Sequence, residues 1–548
     1  MSVYSAVVPS ASVTWPDPIE TVWQMLVGQN SLLGYQRPDL GLADRLFIGA
    51  VMNLSPERRP WGSITWLADI FATSRPTVYA IGERLRSLAV APSGGRPIQI
   101  AAPVERPATE PTVTVTPNRR ARMILTLLMP GGVSGRSIDE CLRVAFDQGQ
   151  STGFVSELLH RSGQQAGEIL KKIDHRPLGA VVLARDELFT GRDPNLLLVE
   201  PHTLVITGLY AAADRDADTW GCALLFTQDR QVQITGLAED GCTPYAASCR
   251  AAGLDAAIQK DVWHPLADVG QVLRDVEREG LRAMTAANKL EKRLRKHWNE
   301  ATFAEWVSVT EQVDDLLTQS SRLRFWRDCL WDAVEVVDRR RGEIRDRAIN
   351  QWLLTETMKG LRQLGHPRIK KLVERLEEQS ADWLTFLDSL ATPLAEWQVR
   401  LVEHFPDPAR ADGFQSDVAR LWRWEHTQRS GQTRWRPLTV AARQRVAEWV
   451  VNDPSAQRLA EDLLTVLERT VRTSCAAETI NSVLRPYLNN RRECTDRLSR
   501  QLFLNLFALW FNMHRFERGP RQGKSPYELA GIDVGADDWL TVLGFPPD

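Results

Sequence analysis

Between Leu178 and His264 the chain stops repeating apolar residues every three or four positions and shows continuous apolar runs instead. The flanking patterns are helical, so a sheet has to be assembled from this stretch, and the rest must pack around it or interrupt it. The runs are LGAVVLARDELF from Leu178, LLLVEPHTLVITGLYAA from Leu196, WGCALLF from Trp220, VQITGLAED from Val232 and AAIQKDVWH from Ala256. They predict a mixed sheet, with a turn at Asp193-Pro194 and a helix over Pro244–Ala252 before the final strand. Asp186 and Asp240 are then expected at strand ends, where two carboxylates can stand side by side.

At 548 residues the chain is too long for one hydrophobic core, so several domains are expected. Apolar and charged fractions of 43% and 25% are those of an ordinary globular protein. A net charge of −2 gives no global basic signature, so contact with nucleic acid has to come from local patches. The seven cysteines form no CxxC pair and no zinc spacing with His, which predicts reduced thiols and a cytosolic setting. No secretion signal opens the sequence, and no apolar run reaches membrane-spanning length; no membrane partner is expected.

Residues 1–92 contain a helix over Gly41–Asn53 and then SITWLADIFATSRPTVYAIGERLRSL from Ser63, a helix, a turn at Ala72–Ser74 and a second helix with Pro76 in its first turn. Ile64, Leu67, Ala68 and Ile70 should pack against Val78, Ile81 and Leu85. This is a helix-turn-helix pattern, equally compatible with a plain helical hairpin. As a DNA reader it would present Ser74, Arg75, Thr77 and Tyr79, with Arg84 and Arg86 near phosphates. Residues 93–118, rich in Pro and Thr, read as a linker. A second helical module for DNA binding or dimerisation is expected over 119–177, opening on Arg119 and Arg120.

Near the other end, SCAAETINSVLRPYLNN (Ser474–Asn490) reads as an amphipathic helix. Ile480, Val483, Leu484 and Tyr487 form its apolar side; Glu478, Asn481, Ser482 and Arg485 share the other. Taken alone, Glu478 would be an ordinary solvated carboxylate.

The order of strands, helix and acids resembles the DDE transposases, whose ribonuclease H-like catalytic domain carries an Asp on its first strand, an Asp after its fourth and a Glu on a later helix. Asp186, Asp240 and Glu478 match those places. Asp261-Val262-Trp263-His264 resembles the (C/D)xxH signature of hAT and Mutator-like members, and LWFNMHRFERGPRQGKSPYELAG from Leu509 resembles the family's basic C-terminal close. The resemblance covers 178–265 and 470–531. It implies an α/β ribonuclease H-like core, residues 178–265 and 471–548, with a mixed five-stranded sheet. N-terminal helical DNA-binding modules would precede it, and an all-α insertion over 266–470 would interrupt it. Glu187 and Glu239 compete locally with Asp186 and Asp240; strand alternation puts Glu187 on the opposite face, and the glycine after Asp240 favours that residue.

Asp186 and Asp240 stand 54 positions apart, whereas Asp240 and Glu478 stand 238 apart, room for a whole inserted domain. Eleven of the 19 tryptophans fall in that insertion, mostly at helical spacing beside Leu and Val, which favours core packing. Trp326, Trp331 and Trp352, near basic residues, are the candidates for stacking on a DNA base.

The resemblance further implies two Mg²⁺ or Mn²⁺ ions per active site, held by Asp186, Asp240 and Glu478. Asp261, His264, Asn481 and Arg485 would lie at the site's edge. The expected substrate is double-stranded DNA, both transposon ends bearing terminal inverted repeats and target DNA, cut and joined by a homodimer or higher assembly. A prokaryotic insertion-sequence enzyme at the nucleoid would fit. A catalytically silent DNA-binding regulator and a ribonuclease H-like nuclease without strand transfer are the alternatives.

Overall fold

The computed structural model describes residues 40, 42–54, 59, 62–71, 73–90, 114–146, 149–241, 244–338, 341–429, 436–489 and 496–548. Contacts divide the chain into two units, Met1–Val113 and Thr114–Asp548. Most of the expected linker, together with Cys242, Cys494 and Trp435, lies outside the described residues.

In the first unit, α1 (Leu42–Met52), α2 (Ser63–Ile70) and α3 (Arg75–Val90) enclose a small core of Ile48, Met52, Leu67, Ala68, Val78 and Ile81. Ser74 opens α3 by accepting from the Thr77 N–H at 3.3 Å, which explains a helix start just before Pro76. Of the expected α2–α3 packing, Ile64, Leu67, Ala68, Val78 and Ile81 meet in this core, whereas Ile70 is 55% exposed and Leu85 lies against Gly49 of α1.

The second unit opens with α4 (Pro117–Leu128), α5 (Gly135–Phe146) and α6 (Thr152–Lys172). The first of these begins at Pro117, inside the segment read as linker, because Thr116 caps it by accepting from Arg119 N–H at 3.0 Å. The three helices share one apolar core with the sheet: Ile124, Leu142, Leu159 and Leu170 belong to the same cluster as Leu188, Leu197 and Phe507. Residues 119–177 therefore pack into the body of this unit.

Its sheet contains β1 (Ala180–Thr190), β2 (Asp193–Val199), β3 (Ile206–Ala211), β4 (Gln233–Glu239) and β5 (Ala257–Lys260), in the order β3-β2-β1-β4-β5. The β1–β2 and β2–β3 pairs are antiparallel; β4 and β5 run parallel to β1. One face, carrying Leu183, Leu196 and Leu198, is covered by α7 (Ala217–Gln228) and α8 (Pro244–Ala251). The opposite face, carrying Ala184, Leu188, Leu197 and Val199, is covered by α17 (Cys475–Asn489) and α18 (Arg497–Met513). Two short helices, α19 (Pro526–Ala530) and α20 (Trp539–Val542), close the chain.

Three expectations are corrected here. WGCALLF is helix α7, begun by Asp216, whose carboxylate accepts from Thr219 N–H at 2.8 Å. A seven-residue apolar run has no period of its own to separate strand from buried helix, and the cap lies outside it. LLLVEPHTLVITGLYAA is two strands, β2 and β3, because Glu200 gathers the N–H groups of His202 and Thr203 into a turn at 3.0 and 2.7 Å. Asp193-Pro194 begins β2, and the reversal sits at Gly191, whose φ of +64° suits a residue without Cβ. Five strands remain.

Residues between β5 and α17 form α9 (Trp263–Lys296), α10 (Glu300–Ala333), α11 (Arg347–Arg362), α12 (Pro367–Gln379), α13 (Thr385–His404), α14 (Pro408–Arg429), α15 (Arg436–Val450) and α16 (Pro454–Glu468). They own a separate core, in which Trp383, Trp397 and Trp422 are buried. The insertion leaves and rejoins the sheet at one point: Val262 N–H donates to Arg472 O at 3.2 Å.

The β3 edge is closed by side chains of α18. Asn512 accepts from Ile206 N–H at 2.8 Å and donates to Ile206 O at 3.0 Å. Gln501 accepts from Ala211 N–H at 2.8 Å and donates to Leu209 O at 3.1 Å. On the β5 side, Gln259 donates to Trp383 O and accepts from Phe386 N–H, at 3.0 and 2.8 Å.

Candidate active site

The parallel β1–β4 register pairs Ala184 with Ala238. Two residues on, the same register sets Asp186 level with Asp240, and one residue on it sets Arg185 level with Glu239. Alternation then sorts the four side chains. Arg185 and Glu239 point into the α7–α8 side as a fully buried ion pair, with Arg185 Nε 2.8 Å from Glu239 Oε2 and Nη1 2.8 Å from Ser248 Oγ. Glu187 faces the same side, accepting from Trp220 Nε1 at 3.2 Å. Asp186 faces α17. The two rival carboxylates are thus occupied structurally, and Asp186 lies within β1, four residues short of its end.

Asp186 accepts from Asn481 Nδ2 and from the Glu187 N–H, both at 2.8 Å. Burial, with the smaller effect of the Asp240 and Glu187 charges, pushes its carboxyl up to about 6 in spite of those bonds. Asn481, itself buried, has its Oδ1 without a hydrogen-bond partner among the described residues. Asp240 is exposed, one residue past β4.

Glu478 sits in the first turn of α17, one turn before Asn481. Its Oε1 is 2.9 Å from His264 Nε2. The other ring nitrogen of His264 lies 3.5 Å from Asp261 Oδ2. Hydrogen bonding to Asp261, and then the nearby charges of Asp261, Glu478 and Asp240, raise the His264 imidazolium to about 9, although burial opposes this. At neutral pH it is a cation held among three acids.

Asp261 joins the two ends of the insertion. Its Oδ2 accepts from both N–H and Oγ of Ser474 at 2.7 Å, and its Oδ1 accepts from Trp263 N–H at 2.5 Å. Burial works against the charge on Asp261, yet bonds from His264, Ser474 and Trp263 hold its carboxyl below the usual range. The first turns of α9 and α17 are therefore fixed to one carboxylate, which places His264 opposite Glu478.

Among the described residues no group of three or more His, Cys, Asp or Glu side chains is arranged to hold a metal ion. The structure brings Asp186 level with Asp240 and sets Glu478 on the neighbouring helix, but Glu478 is bonded to His264. A pair of level carboxylates, one with its charge disfavoured by burial and by its neighbour, fits a hard divalent cation; the expected three-acid set is not assembled in this arrangement. Arg485 is exposed two turns along α17.

Ser474 and Lys260 were missed in the sequence. Lys260 is paired with Glu239 in the β4–β5 register and lies 3.4 Å from Asp382. The signal for Ser474 was its place before a helix as a hydroxyl; its partner Asp261 lies 213 positions away.

The other candidates are dispersed. Trp326 lies against Gly360, where an added Cβ would stand 2.1 Å from its ring; with Trp331 it packs on the insertion core, whereas Trp352 is 62% exposed. Ser74 and Thr77 hydroxyls bond each other at 2.8 Å, while Arg75, Tyr79 and Arg84 are exposed on α3. Arg86 is held by Asn53 at 3.1 Å and Glu83 at 2.8 Å. Arg119 lies 3.6 Å from Asp548; Arg120 is half-buried. No described helix is long and apolar enough to cross a membrane. No protein-family model and no curated protein matches the chain.

Proposed function

We propose that this chain is a DDE transposase with a ribonuclease H-like core interrupted by an all-α insertion. The observation that carries the reading is the closeness of Asp186 on β1 to Asp240, one residue past the adjacent parallel strand β4, with the Glu478-bearing helix packed on the Asp186 face. The strand order with β2 antiparallel, and an insertion that opens after β5 and ends just before that helix, support it.

The reaction would be in-line displacement at phosphorus by water or a 3′-hydroxyl. Bound Mg²⁺ or Mn²⁺, two ions per site, would supply activation of the nucleophile and neutralise charge on the leaving oxygen. Asp186 and Asp240 would hold them from the sheet. Asn481 aims Asp186 toward the cleft, and its unpartnered Oδ1 can accept a proton donor in the site. His264, 2.9 Å from Glu478, would balance the charge of that carboxylate beside the other acids. Asp261 and Ser474 keep the helices carrying both residues in fixed relation. The first unit would read terminal inverted repeats, and two ends would be joined by a dimer or larger assembly at the prokaryotic nucleoid.

The test is cleavage of DNA carrying the element's ends in Mg²⁺. Asp186→Asn is expected to cut at least about 10³-fold more slowly, the scale of several kcal/mol of lost charge stabilisation, with end binding intact. Cutting at the wild-type rate would refute the assignment. The engaged Glu478–His264 pair favours a second reading, a catalytically silent DNA-binding relative; wild-type protein that binds ends and never nicks them would establish it.

A further inference from the structure

Helix α9 carries a row of cations that the site does not use. Arg278, Arg282, Lys289, Arg293 and Lys296 recur at spacings of four, seven, four and three, which is one helix face, and all five are exposed. The opposite face, with Leu273, Val276, Ala283 and Leu290, is buried. The carboxylates of α9 itself do not pair with most of this row. The five carboxylates of α9 are all engaged: Asp268 with Arg375, Asp275 with Arg278 and Arg368, Glu277 with Arg324, Glu279 with His366 and Arg368, and Glu291 with Arg295. Among the described residues, Arg282, Lys289, Arg293 and Lys296 meet no carboxylate at ion-pair distance. Between Arg282 and Lys289 the small residues Thr285 and Ala286 leave a depression of about 490 Å³.

We propose that this face of α9 is a sequence-independent docking surface for the phosphate backbone of duplex DNA. The row from Arg278 to Lys296 spans roughly 27 Å at 1.5 Å per residue, comparable with one turn of duplex at about 34 Å. A row of cations on one helix face, four of them without a carboxylate partner among the described residues, complements a polyanion of regular spacing, and its side chains reach phosphate oxygens without reading bases. The inference rests on the transposase reading only for the choice of DNA as the polyanion. It adds a binding surface on the insertion, distinct from the acids and from the first unit.

The experiment measures binding of the full-length protein to a 30-bp duplex of arbitrary sequence, without divalent ions, over a range of salt. Three proteins are compared: wild type, the neutralised Arg282→Gln/Lys289→Gln/Arg293→Gln/Lys296→Gln variant, and the charge-keeping Arg282→Lys/Lys289→Arg/Arg293→Lys/Lys296→Arg variant. Neutralisation is expected to flatten the slope of log K against log salt by about 3 to 4, at about 0.9 per phosphate contact; the charge-keeping variant is expected to keep the wild-type slope. Equal slopes in wild-type and neutralised proteins, or no duplex binding by wild type, would overturn the proposal. So would loss of self-association with duplex binding unchanged, since that result assigns the face to contact with a second copy. A flattened slope together with full cutting by Asp186→Asn would sink the catalytic reading and leave this surface standing.

Discussion

His264 shows how one side chain can carry both a structural and a chemical burden. With its imidazolium raised to about 9, against a usual value near 6.5, it is protonated more readily in the folded chain than in the unfolded one. The stability it adds is therefore complete below about pH 6.5 and is lost as pH rises through about 9. Urea unfolding of wild type against His264→Gln, measured from pH 6 to 10, is expected to show a stability difference that shrinks across that window. A difference independent of pH would mean that the ring acts by packing alone. One part of this arrangement was legible: strand alternation put Glu187 on the face opposite Asp186, and the structure puts Glu187 against Trp220. The tie between Asp261 and Ser474 was not legible, because no local pattern links groups 213 positions apart.

At the scale of elements, the sheet is anchored by the Arg185–Glu239 pair between β1 and β4. Burial raises the Glu239 carboxyl even though Arg185 opposes the shift, so desolvation outweighs the attraction. The guanidinium is further covered by Tyr245, 4.0 Å from its ring centre, and Trp220 at 5.6 Å. Arg185→Leu would strand a buried carboxylate and is expected to cost about 3–5 kcal/mol in urea unfolding. Arg185→Leu combined with Glu239→Leu should cost less than that single change. A double variant weaker than both singles would contradict this account. An element with a long period was legible: α17 lies within Ser474–Asn490, where its apolar repeat put it. The α7 run was not, since Trp220 to Phe226 is apolar throughout and only Asp216, outside the run, marks it as a helix. The break between β2 and β3 was hidden in the same way, in the bonds that Glu200 makes.

At the scale of the molecule, the all-α insertion has its own core and meets the sheet where the chain leaves and returns. Replacing residues 266–470 by a short Gly-Ser linker should therefore leave Asp261 bonded to Ser474 and give a soluble body that unfolds cooperatively. A chain that fails to fold would mean that the sheet depends on insertion contacts such as Gln259 with Trp383 and Phe386. The same pair of contacts has a counterpart across the sheet, where Asn512 and Gln501 occupy the backbone groups of β3. The β3 edge is thus answered by amide side chains from a helix, which mimic the bonds a further strand would offer, whereas at β5 the strand's own Gln259 side chain reaches the backbone of the insertion. A neighbouring chain finds no vacant ladder at Ile206, Leu209 or Ala211. At that edge, copies of this protein that gather at high local concentration are steered away from adding strand to strand.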